Sequence, residues 1–129
     1  MTDLCFPLAA AGGVPRGQGA AYDRRWLVVD AHGRWLSRAD CPALGDVGVE
    51  LRLGYLVLRA PGMLRLDIPL DVIEDDDSVR RTVRVGGQEV DAVDEGDLAA
   101  AWLARFLQRP CRLAKVHPEA APVAWPDLP

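Results

Sequence analysis

Tyr22-Asp23-Arg24-Arg25-Trp26-Leu27-Val28-Val29-Asp30-Ala31-His32-Gly33-Arg34-Trp35-Leu36 is the stretch on which the fold turns. Trp26 to Asp30 is an apolar run closed by a single acid, and it reads as a buried strand. Ala31-His32-Gly33-Arg34 is a turn, and Trp35-Leu36 opens a return strand. The whole predicts a hairpin.

Outward from this hairpin the same period continues. Val47, Val49, Leu51 and Leu53 alternate with Gly48, Glu50 and Arg52 until Gly54 breaks the pattern, which predicts a half-buried strand. Tyr55 to Ala60 is the next strand, and Pro61-Gly62 is a turn pair. Leu64, Leu66 and Ile68 alternate with Arg65 and Asp67. Val79, Arg81, Val83 and Val85 share one face of a further strand. Gly86-Gly87 supplies a tight turn, and Gln88 to Val93 returns. On the N-terminal side, Leu4 to Leu8 predicts a short first strand, and Pro7 places it at an edge or a bend. Ala9 to Ala21 reads as an Ala/Gly-rich loop with little core-forming content.

The period changes after Val93. Asp94-Glu95-Gly96-Asp97 places carboxylates at a helix start, and Ala99, Trp102, Leu103 and Phe106 fall on one helical face. The spacing predicts one principal helix near 96–108, ending before Pro110 and packed through Trp102 and Phe106. Cys111 to Val116 is a last strand. From His117 on, four prolines make a tail or linker without a core pattern. The expected organisation is therefore a domain at 1–116 and a Pro-rich segment at 117–129. The expected fold class is mainly β: an antiparallel β-barrel-like domain with one principal α-helix near the C-terminal end. A β-sandwich fits the periodicity nearly as well, because pattern alone does not register closure.

Composition bounds the function. The 129 residues suit one domain, and half of them are hydrophobic against 26% charged, an ordinary globular balance. A formal net charge of −4 gives no electrostatic footprint for nucleic acid. Acid concentrates from Asp71 to Asp97, and Lys115 is the only lysine among fifteen basic residues, so any anion would be met by guanidinium forks. Cys5, Cys41 and Cys111 form no CxxC pair, and the N-terminus has no basic segment leading an apolar run. No apolar run is long enough to span a bilayer. A reducing cytoplasmic setting, with no membrane and no nucleic-acid partner, is the expectation.

Several motifs, taken in order, resemble the N-terminal β-barrel domain of the MOSC family. Tyr22 to Asp30 followed by Gly33 and Trp35-Leu36 is similar to its YDRRW-hydrophobic-VD-x-x-G-x-[FW]-L signature. Pro61-Gly62-Met63 with Ile68-Pro69-Leu70 is similar to its APGM…VPL segment. Asp94 to Asp97, Ala101-Trp102-Leu103 and Arg109-Pro110-Cys111-Arg112-Leu113 are similar to its D-x-GD…WLSxFLGRPCRL stretch. The agreement runs over residues 22–116. In that family the barrel precedes a MOSC domain, the pair binds a pyranopterin molybdenum cofactor, and members reduce N-hydroxylated compounds or transfer sulfur to the cofactor. No stretch here has the pattern of the MOSC domain. The resemblance therefore implies a binding or accessory barrel, not catalytic alone, with no cofactor expected in the isolated chain. The alternative is one part of a molybdenum-cofactor oxidoreductase or sulfurase, holding a molybdopterin-type cofactor once a MOSC domain completes it in cis or in trans.

The resemblance also implies site residues. Arg24 stands at a position that contacts the cofactor phosphate, Ser37 keeps the hydroxyl of a TxR element, and Arg38 lies one place before that element's Arg position, which is Ala39 here. In the opening [YF]-P-[VI]-K-S-C-x-G motif, Phe6-Pro7-Leu8-Ala9-Ala10 puts Ala9 at the Lys position and Ala10 at the Ser position. The connection to Tyr22 is several residues shorter than the family pattern. The plainer reading of Asp23-Arg24-Arg25 is a local ion-pair cluster at a strand entrance. Cys111 resembles a structural barrel residue. Glu74 to Asp77 lacks the ligand spacing of a calcium loop and reads as a solvated acidic segment. His32 and His117 stand apart from other ligand types, which makes no zinc site. Trp125, alone in the tail, fits either docking back on the domain or a partner contact. No nucleophile has a base partner, and no phosphate loop is present.

Overall fold

The computed structural model describes residues 3–70 and 79–126. The decisive apolar run forms β3 (Trp26–Asp30), whose first four residues are all buried. One edge of β3 pairs antiparallel with β9 (Cys111–Val116), Val28 opposite Leu113. On the far side of β9 come β8 (Gln88–Asp94) and β7 (Arg80–Val85), giving a four-stranded antiparallel order β3-β9-β8-β7.

The other edge of β3 is shared. Trp26 donates its N–H to the Pro7 carbonyl at 2.9 Å and accepts from the Ala9 N–H at 2.9 Å. Further along, Leu36 donates to Val28 and Asp30 to Arg34, which closes the predicted hairpin by a single bridge between Val29 and Trp35. The same return segment reaches β7: Trp35 donates to the Arg84 carbonyl and Arg84 to the Gly33 carbonyl, each at 2.8 Å. The sheet thus curls into a half-barrel whose outer strands, β3 and β7, are bridged by residues 33–36.

A second antiparallel sheet of β4 (Gly48–Arg52), β5 (Tyr55–Arg59) and β6 (Leu66–Pro69) packs Leu56, Leu58, Leu66 and Ile68 into the same core. Two short strands, β1 (Leu4–Cys5) and β2 (Val14–Pro15), pair beside it, and a one-turn helix α1 (Arg16–Gly19) follows. The sheets are tied by Lys115, a buried residue of β9 whose ammonium donates to the Leu70 carbonyl just past β6. The principal helix α2 (Asp97–Leu107) covers the core with Ala99, Trp102, Leu103 and Leu107.

The differences from expectation have physical reasons. The first strand is only two residues long, and Leu8 enters the sheet as a single parallel bridge to Trp26. Residues 9–21 are not a core-poor loop: Ala9, Ala10, Ala11 and Val14 are buried. Small side chains let this backbone run close between β3 and the Val47 carbonyl, which accepts the Gly12 N–H at 2.9 Å. Leu64, assigned by alternation to an inner face, lies outside β6 and is 87% exposed. At the start of α2, Asp94 accepts the Gly96 N–H at 3.3 Å as expected, but Asp94 and Asp97 also hold Arg112, at 2.9 and 2.8 Å, and the N-cap Gly96 has no side-chain cap. Of the two readings of Trp125, the described part of the C-terminal segment, up to residue 126, takes the first and docks on the barrel. Trp125 packs edge-on against Trp35 at 5.1 Å, and the Gln88 amide bonds both the Pro122 carbonyl and the Ala124 N–H. Glu74 to Asp77 lies outside the described residues.

Two outcomes follow from local geometry. Leu53 and Gly54 join β4 to β5 as a two-residue loop with φ of 52° and 84°. That is the backbone of a type I′ turn, which favours Asn-Gly and strains a branched side chain. Leu53 is 86% exposed, so its replacement forfeits little burial. Leu53→Asn is expected to stabilise the fold by about 0.5–1 kcal/mol, read as a higher urea midpoint at unchanged slope. Trp102 is buried, and its indole donates to the Leu64 carbonyl at 2.6 Å. Trp102→Ala is expected to cost roughly 3–5 kcal/mol in the same measurement.

Candidate functional site

Arg24 sits two residues before β3 with φ of 51°, a left-handed conformation that non-glycine residues adopt at a cost. It is held there from both sides. Its N–H donates to the Phe6 carbonyl at 2.8 Å, and the neighbouring Asp23 carboxylate accepts the Phe6 N–H at 2.8 Å. The other Asp23 oxygen is 3.6 Å from the Arg24 guanidinium. The Arg24 Nε is buried without a hydrogen-bond partner. A buried donor left unpaired costs on the order of 1–3 kcal/mol, so this arginine is not fully used by the fold.

Ser37 and Arg38 are spent differently. The Ser37 hydroxyl donates to Asp40 at 2.9 Å and accepts the Asp40 N–H at 3.1 Å, while the Ser37 N–H bonds the same carboxylate at 3.1 Å. This closed turn consumes the hydroxyl. The backbone and side-chain bonds from Ser37 hold the Asp40 carboxyl below the usual aspartate value. Arg38 turns toward the N-terminal segment and donates to the carbonyls of Ala10 and Ala11 at 3.0 and 2.8 Å. The structure therefore brings Arg24 and Arg38 to the two ends of one segment, Phe6 to Ala11, and leaves Ser37 bonded to its own loop. Ala9 and Ala10 are wholly buried, and Ala10 is itself left-handed with φ of 76°.

The three cysteines are free and buried. Burial, with the nearby Cys41, pushes the Cys111 thiol up to about 11, which makes it a packing group and not a thiolate nucleophile at neutral pH. Among the described residues no three His, Cys, Asp or Glu side chains gather as a metal site, and no helix is long and apolar enough to cross a membrane.

One cluster gave no signal in the sequence. Arg34 and Arg84 stand side by side across the bridge between the return segment and β7, fifty residues apart in the chain. They line an open hollow with Trp35, Ser37, Asp40 and Pro126.

Comparison with known proteins places this geometry. The family described as MOSC N-terminal beta barrel domain matches residues 7–110. The chain belongs to that family. A solution structure of a Bordetella bronchiseptica protein matches with a TM-score of 0.83 and 59% identity, over 98% of this chain and 97% of that one. Human molybdenum cofactor sulfurase is 35% identical over 76% of this chain, and zebrafish (Danio rerio) mitochondrial amidoxime-reducing component 1 is 32% identical over 81%. This MOSC N-terminal barrel spans only 11% of the first of those relatives and 32% of the second.

Acid stability tests the Ser37–Asp40 turn. Asp30 is also held below the usual value: burial raises it, but the N–H bonds from Arg34 and His32 outweigh burial. Carboxyls depressed in the folded state stabilise it above their unfolded pKa, and that stability is lost as pH falls through the folded pKa. Urea unfolding across acid pH should show this loss. Asp40→Asn should be less stable than the native protein at neutral pH and converge with it in acid.

Proposed function

We propose that this barrel is a non-catalytic binding or accessory module whose remaining link to a phosphate-bearing cofactor is Arg24. The residues present do not fit a molybdopterin-type cofactor held by this chain alone. At the two positions where the resemblance implies Lys and Ser, Ala9 and Ala10 present buried methyl groups, which donate nothing. Arg38 and the Ser37 hydroxyl are engaged by the chain itself. Arg24, left-handed and with a buried unpartnered Nε, is the observation that supports a retained oxyanion contact. It also favours the second reading: one part of a cofactor-dependent oxidoreductase or sulfurase, completed by a MOSC domain in cis or in trans that supplies the other contacts. Three free thiols, all buried, agree with a cytoplasmic setting.

Each missing charge-assisted bond is worth on the order of 1.5–3 kcal/mol, so two together weaken binding by roughly two to four powers of ten. Protein purified from a molybdenum-replete host should carry no molybdenum by elemental analysis. It should bind molybdopterin weakly in titration, with the residual binding lost in Arg24→Ala. Stoichiometric molybdenum, or micromolar binding by the isolated chain, would overturn the proposal.

A further inference from the structure

The half-barrel closes on a juxtaposition that the fold alone does not require. Arg34 and Arg84 are bridge partners on neighbouring segments, with the Arg84 backbone bonded on both sides to residues 33 and 35. Like charges placed opposite each other on neighbouring strands repel. Two acids lie near the pair: Asp30 accepts the Arg34 backbone N–H at 3.0 Å, and Glu89 faces Arg84. Glu89 approaches Arg84 at 3.7 Å, between two exposed side chains, and among the described residues Arg34 has no ion pair. Asp40 lines the same hollow, but its carboxylate accepts the Ser37 N–H and hydroxyl.

A residue of the hollow's wall also carries an unpartnered donor. Trp35 is 8% exposed, lines the hollow, and keeps its indole N–H buried without a partner. Trp125 packs edge-on against it, and Pro126 lines the hollow from the docked C-terminal segment. Two guanidinium forks are the donors that planar recognition of an oxyanion uses, the adjoining Trp35 holds a buried indole N–H that still lacks an acceptor, and the Trp35 and Pro126 surfaces offer an apolar seat.

We propose that the Arg34–Arg84–Trp35 hollow is an oxyanion site. It takes the phosphate or carboxylate group of a small organic molecule whose apolar part lies against Trp35 and Pro126. Ser37 lines the same hollow, but its hydroxyl is bonded to Asp40; the proposed donors include neither Arg24 nor Arg38, and the site stands whether or not Arg24 binds anything.

The test is NMR titration of the whole chain, following the Trp35 indole N–H and the backbone amides of residues 34 and 84. Inorganic phosphate and acetate are the two arms, with chloride as the ionic-strength control. A saturable shift of the Trp35 indole with either anion supports the site, and the arm that binds more tightly names the class. Arg34→Ala and Arg84→Ala, both exposed positions, should each weaken that binding by about tenfold or more, and Arg24→Ala should leave it unchanged. A response no different from chloride would overturn the proposal. So would a saturable response that survives loss of both Arg34 and Arg84, or one that Arg24→Ala removes.

Discussion

The architecture depends on how Trp26 is used. Its backbone joins the N-terminal segment to β3 through the Pro7 and Ala9 bonds. Its ring is fully buried, and the indole donates to Glu95 at 2.7 Å. The Lys115 ammonium lies 5.2 Å from the ring centroid and bonds the Leu70 carbonyl, so a cation held over an aromatic face ties the two sheets together. Tyr22 stacks on the same ring at 6.1 Å. A residue with this many directional partners fixes the register of β3, and a one-residue slip would turn the strand's inner face outward. Arg24 is set by the same constraint, since it sits two residues before Trp26 and is tied to Phe6, the residue before Pro7.

That constraint explains why the N-terminal segment is built from small residues. The segment approaches β3 on one side and Val47 on the other. Ala9, Ala10 and Ala11 have no exposed surface, so a longer side chain at any of them would need the neighbours to move. The turn at Ala10 is left-handed, and its carbonyl and that of Ala11 would lack partners there without Arg38. Arg38 is thus a structural brace for an alanine turn.

How much was legible follows from which interactions are local. β3, β9 and α2 were readable almost residue for residue, because a continuous apolar run, a mostly apolar segment after the Pro110 break and a helical stripe through Trp102 each carry a local signal. The Gly86-Gly87 turn was readable for the same reason. The buried alanines were not, since methyl groups carry little hydrophobic signal and their burial is decided by close backbone approach. Leu64 misled because alternation continues past the point where β6 begins. Ser37 and Arg38 were legible as residue types, but their engagement depends on Asp40 in one case and on carbonyls 27 and 28 residues away in the other. The neighbouring of Arg34 and Arg84 follows only from barrel closure, and no window of sequence contains it.

Fold and site therefore answer to different constraints in this molecule. The apolar framework around Trp26 specifies the barrel with only methyl groups at positions 9, 10 and 39, so the fold is complete without the polar side chains that the resemblance implies there. A 59% identical chain with nearly the same span adopts the same fold. Polar groups are the informative residues for function, and the useful distinction is between those the fold consumes and those it leaves unpaired. Asp94, Asp97 and Arg112 consume one another, as do Ser37 and Asp40. Among the described residues, two buried side-chain donors stay unpartnered, the Arg24 Nε and the Trp35 Nε1. Desolvating a donor without a partner works against folding. Each is therefore a place where the chain gives up stability unless something outside it supplies an acceptor.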